Sequence, residues 1–118
     1  MTVTRTACLK SAYCCNIDLS KVEIPINSVC RADLRSISVN GVETSYSWGV
    51  YDSFTTLKFT GLRSKLPNPD GASLCWVALR GGCGDPRRFC YNGQCQVEYF
   101  SSNNKCCPTY VLPVPSFR

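Results

Sequence analysis

The stretch Leu34-Arg35-Ser36-Ile37-Ser38-Val39-Asn40-Gly41-Val42-Glu43-Thr44-Ser45 carries the strongest local instruction in the chain. Asn-Gly between two runs of alternating side chains is the signature of a two-residue hairpin, because a type I′ turn needs positive φ at both central residues. Outward from this hairpin the same period of two recurs. Val22, Ile24 and Ile26 alternate with Lys21, Glu23 and Pro25, which predicts a strand with one solvated face, and the proline places it at a sheet edge. Leu57 and Phe59 alternate with Thr56, Lys58 and Thr60, and Gln96–Phe100 predicts a further strand. Ser73–Leu79 is nearly all apolar and reads as a central strand buried on both faces, with Trp76 in the core. Pro67-Asn68-Pro69-Asp70-Gly71 and Ser101–Lys105 read as a loop and a turn. Clear helical spacing is absent from any segment longer than about ten residues, so the expected class is an all-β, small disulfide-rich sandwich with irregular cysteine-rich loops and little helix.

Ten cysteines in 118 residues, without a single histidine, set the compartment. That density marks a disulfide scaffold of an oxidising environment, hence a secreted, extracellular domain. Cys8, Cys14, Cys15, Cys30, Cys75, Cys83, Cys90, Cys95, Cys106 and Cys107 are an even set, expected to pair fully in five bridges whose connectivity stays open. Zinc is the competing use of clustered thiolates. Only Cys90-Tyr91-Asn92-Gly93-Gln94-Cys95 has knuckle spacing, and no metal or other cofactor is expected. Bridges across long loops would contribute about 2–4 kcal/mol each.

The length suits one domain, expected over residues 1–110, followed by a proline-containing tail or linker over 111–118. No run of about 18 apolar residues offers a membrane span, and Met1-Thr2-Val3-Thr4-Arg5 leads into polar sequence rather than a secretory leader. Thirteen basic against eight acidic residues leave a net charge of +5, scattered rather than gathered into a stripe. Nucleic acid is therefore not an expected partner, whereas acidic polysaccharide is.

Lack of histidine removes Ser-His-Asp and Cys-His catalysis. A glycosidase would need two of the acids Asp18, Glu23, Asp33, Glu43, Asp52, Asp70, Asp85 and Glu98 at a working separation, but they stand singly in turns and on strand faces. The chain is read as no enzyme. A secreted inhibitor presenting the basic loop Leu62–Pro67, or a lectin-like domain, is the alternative. For binding, Tyr46, Trp48 and Tyr51 form the candidate glycan or partner surface, since aromatic faces suit sugar C–H groups and Gly49 permits close backbone approach. Packing of Trp48 into the core is the competing reading. No Asn-x-Ser/Thr sequon occurs.

Leu19–Ile24, Val29-Cys30, Ile37–Gly41, Ser47-Trp48, Leu57–Phe59, Gly71–Leu79, Phe89-Cys90, Gly93-Gln94-Cys95 and Cys106-Cys107-Pro108 follow one another in an order that resembles the pherophorin domains. The resemblance runs from about Ser11 to Tyr110, and the front of the chain departs from the family pattern. It implies a non-catalytic structural or binding module of a green-algal extracellular matrix, cell wall or surface appendage. Its implied partners are itself, other matrix glycoproteins, hydroxyproline-rich rods and acidic glycans.

Overall fold

A computed structural model of the chain describes residues 18–51, 54–79, 82–103 and 109–112. Eight strands occur among them: β1 (Lys21–Ile26), β2 (Leu34–Val39), β3 (Val42–Thr44), β4 (Ser47–Val50), β5 (Thr55–Phe59), β6 (Leu74–Ala78), β7 (Gln96–Phe100) and β8 (Thr109–Val111). They form two antiparallel sheets, one ordered β4-β5-β1-β7-β8 and the other β3-β2-β6. The helical segments are short, including α1 (Leu62–Lys65) and α2 (Pro86–Phe89). The all-β class holds.

The Asn-Gly hairpin forms as the sequence dictates. Asn40 and Gly41 have φ of 51° and 80°, and Val39 faces Val42 across the turn. Asn40 does more than turn: its backbone N–H donates to Ser73 C=O and its side-chain oxygen accepts from Ser73 N–H, both at 2.8 Å. This clamp sets the register with β6 on the other side of β2.

One apolar cluster joins the two sheets. Val22, Ile24, Ile26, Leu57, Phe59 and Val97 from the larger sheet meet Leu34, Ile37, Val39 and Leu74 from the smaller, with Phe89 of α2 between them. Phe89 stacks on Trp76 at 5.8 Å between centroids, and its carbonyl accepts from Asn27 N–H at 2.8 Å, so α2 fastens β6 to the end of β1. Asp85 caps α2 through Arg87 N–H (3.0 Å), with Pro86 at a first-turn position where a missing N–H costs nothing. The side-chain hydrogen bond from Arg87, then its backbone N–H, lowers the Asp85 carboxyl below the ordinary aspartate value. Asp18 is lowered likewise, chiefly by the Ser102 backbone N–H (3.0 Å), and also pairs with Arg63 at 2.9 Å.

Several expectations need correction. β1 is the centre of its sheet rather than an edge, paired with β5 along Val22–Ile26 and with β7 along Lys21–Glu23. Pro25 is tolerated because the β7 ladder stops at Glu23, two residues before it. β6, expected to be central, is an edge strand whose alternation exposes Cys75, Val77 and Leu79 while Leu74 stays buried. Trp76 is only partly buried against the core. The basic segment from Leu62 folds as α1 with Leu62 and Leu66 buried, so it is an anchored turn and not an extended loop. Val111, placed in the tail by sequence, pairs with Gln96 as the last residue of β8, whereas residues 113–118 lie outside the described residues.

Cys30 bonds Cys83, and Cys90 bonds Cys95. Cys75, expected in a bridge, carries a free, exposed thiol because β6 turns it to the outer face, away from the core-side sulfurs. Cys8, Cys14, Cys15, Cys106 and Cys107 fall outside the described residues, as do Asn104 and Lys105 of the expected turn, whose Ser102 and Asn103 do turn.

Candidate glycan surface and aromatic cleft

The sequence trio Tyr46, Trp48 and Tyr51 is divided by the pleat of β4. Trp48 faces Leu57 in register and packs on the core cluster. Tyr46, two residues earlier, meets it edge-on with centroids 5.7 Å apart and interplanar angle 76°. The Arg31 guanidinium lies 5.4 Å from the Trp48 ring centre. Trp48 is therefore half-buried, with one face in the core and a cation over the ring. Its core packing is thus partial, and a margin of the ring stays exposed. Tyr46 also borders a shallow depression with Ser36, Glu43, Thr44 and Ser45.

Tyr51 belongs to the other side of the sheet. Its hydroxyl donates to Glu23 at 3.2 Å, and Thr56 donates to the same carboxylate oxygen at 2.7 Å. Lys21 stands 3.5 Å from the second oxygen. Glu23 is only 2% exposed, so these partners offset the cost of burying a carboxylate. Desolvation, then the neighbouring Glu23 charge, raises the Tyr51 phenol above its ordinary value, which keeps it a donor. Gly49 makes this arrangement fit: a Cβ there would stand 2.6 Å from Thr56 Oγ1 and 3.1 Å from the Tyr51 ring. The close approach expected of Gly49 is thus to its own neighbours.

From Tyr51 a row of rings continues. Tyr51 stacks on Phe54 at 5.1 Å, and Phe54 meets Tyr91 at 5.8 Å. Phe54 and Tyr91 line a cleft of about 230 Å³ with Pro25, Asn92, Gln94, Gln96 and Glu98. Tyr91, Asn92 and Gln94 sit on the loop closed by the Cys90–Cys95 disulfide, which Cys90 ties to Ile26 of β1. Sequence reasoning found Tyr51, which stacks on the cleft's Phe54, and missed the cleft itself. Its residues come from β1, the turn after β4, the disulfide loop and β7, and no local pattern joins them. Among the described residues no group of three or more ligand-type side chains could hold a metal, and no helix is long and apolar enough to cross a membrane.

The arrangement offers two kinds of recognition: a cation with aromatic edges at Arg31, Tyr46 and Trp48, and a ring row with amides and a carboxylate in the cleft. A family model described as Pherophorin, a family of structural extracellular-matrix glycoproteins, matches residues 1–108, and so includes the front of the chain where the sequence pattern departs. No curated protein and no solved structure matches the chain. On that match, supported by a two-sheet fold in which the quoted family segments form the hairpin, β1, β5 and β6, the chain belongs to the pherophorin family.

Proposed function

We propose that this domain is a non-catalytic structural module of an algal extracellular matrix or cell wall that binds acidic glycans, and the glycoproteins carrying them, through Arg31, Tyr46 and Trp48. The observation that carries the reading is the guanidinium 5.4 Å from the half-buried indole, beside the edge-on tyrosine. A sugar carboxylate or sulfate is met by the fork of guanidinium donors, while the adjoining sugar ring rests on Tyr46 and the exposed margin of Trp48. The excess of positive charge draws polyanions to the same molecule. The chemistry of hydrolysis finds less support: Glu23, the buried acid, already accepts from two hydroxyls and faces a lysine, the setting of a structural carboxylate.

Arg31 is exposed, so its replacement tests binding without opening the core. Arg31→Ala is expected to weaken association with polygalacturonate at low salt by about tenfold or more, the scale of one charge-assisted hydrogen bond, while the melting temperature stays unchanged. Wild-type binding is expected to fall as salt shortens the screening length to about 8 Å. Unchanged affinity in the variant, or binding indifferent to salt, would refute this surface.

A further inference from the structure

We infer that the cleft between Phe54, Tyr91, Gln96 and Glu98 is a second glycan site, one that takes a neutral oligosaccharide. It lies on the face of the larger sheet that carries Glu23, whereas Trp48 packs on the core face, so it stands independently of the Arg31 surface. Three features specify its ligand.

The first is the ring row. Tyr51 and Tyr91 are 47% and 38% exposed, and Phe54 between them is half-buried, which leaves apolar faces open to solvent. Such faces match sugar C–H groups, whose hydroxyls lie around the ring's edge.

The second is the polar rim. Asn92, Gln94 and Gln96 each offer amide donors and a carbonyl acceptor, and Glu98 offers acceptors only. Gln96 Nε2 donates to Glu98 Oε1 at 3.1 Å, which orients both planar groups side by side at the wall of the cleft. A sugar hydroxyl both donates and accepts, so it satisfies every member of this rim. A proline-rich peptide brings carbonyl acceptors but few N–H donors, and would displace water from Glu98 while giving it no donor beyond Gln96. An acidic sugar would set its charge against Glu98, so the neutral class is favoured.

The third is preorganisation. Glu23, buried under Tyr51, fixes that ring through the phenol hydroxyl, and the Cys90–Cys95 bridge fixes the loop bearing Tyr91, Asn92 and Gln94. Glu23 is thus a positioning residue. A rigid aromatic and amide cleft loses little entropy on binding, which is the condition for useful affinity from a shallow site.

The test uses the whole chain with its disulfides intact, titrated by calorimetry with the hexasaccharides of cellulose, mannan, β-1,3-glucan and galactan up to about 10 mM. Binding of at least one is expected. Tyr91→Ala and Glu98→Gln, both at accessible positions, are each expected to weaken it by about tenfold or more with the melting temperature retained. Arg31→Ala is expected to leave it unchanged, so failure of the acidic-glycan surface and failure of this cleft give different results. The inference is overturned if no neutral sugar binds. It is equally overturned if the two cleft variants bind as wild type, or if a proline-rich peptide binds there and the sugars do not.

Discussion

Replacing Cys30 and Cys83 together by alanine is expected to lower the melting temperature by about 12–20 °C, corresponding to roughly 4 kcal/mol. The bridge joins residues 53 apart, linking the turn after β1 to the turn after β6, and so ties one sheet to the other. Without it, the unfolded chain regains the freedom of that long loop. Cys90 and Cys95 are only 5 apart, so the matching double variant is expected to lose about 2 kcal/mol, half as much. Its larger consequence falls on the cleft, whose Tyr91 loop it releases. Thermal unfolding of the two double variants decides the matter: equal losses, or a greater loss from the shorter loop, would contradict the loop-entropy reasoning.

Phe89→Ala is expected to cost about 3–5 kcal/mol, the range for truncating a fully buried aromatic ring. Phe89 is 1% exposed and stands where the two sheets meet, stacked on Trp76 and following the cap at Asp85. Its removal leaves a cavity between β1 and β6 and strands the indole. Trp76→Ala is expected to cost less, because that ring is only partly buried. A double-mutant cycle should return a coupling of about 0.5–1.5 kcal/mol for the stacked pair. Denaturant unfolding measures all three variants. A loss below about 1 kcal/mol for Phe89→Ala would show that α2 is not the clasp between the sheets.

What the sequence made legible was local. Asn40-Gly41 specified its turn because positive φ at two successive positions is a requirement few dipeptides meet, and no distant contact was needed to see it. The strands at β1, β2, β5 and β7 were equally plain in their alternation. Strand neighbours were not. Pro25 pointed to an edge, since proline lacks a ladder donor, but the β7 ladder ends before it and β1 remains central. The apolar run at β6 suggested burial on both faces, yet Cys75, Val77 and Leu79 face outward from an edge strand.

The functional surfaces show the same division. Tyr46, Trp48 and Tyr51 stood out by composition, but a strand's period of two separates Tyr51 from the others, and β4 itself was hidden by the glycine that its packing requires. Glu23 within Val22-Glu23-Ile24 reads as a solvated charge on an alternating strand. Only the pairing of β1 with β5, and the ring of Tyr51 folded over it, reveal that it is buried. Glu98 and Gln96 reach the cleft because β7 pairs with β1 across more than seventy residues of sequence, a juxtaposition no window of sequence contains.

Residue-resolved chemical-shift mapping of the folded chain during titration with oligogalacturonate tests the proposed function most directly. The expected result is a set of perturbations centred on Arg31, Tyr46 and the Trp48 indole, reduced by added salt and lost in Arg31→Ala, with Tyr91 and Gln96 unmoved. Perturbations absent throughout, or centred away from Arg31 and Trp48, would contradict it.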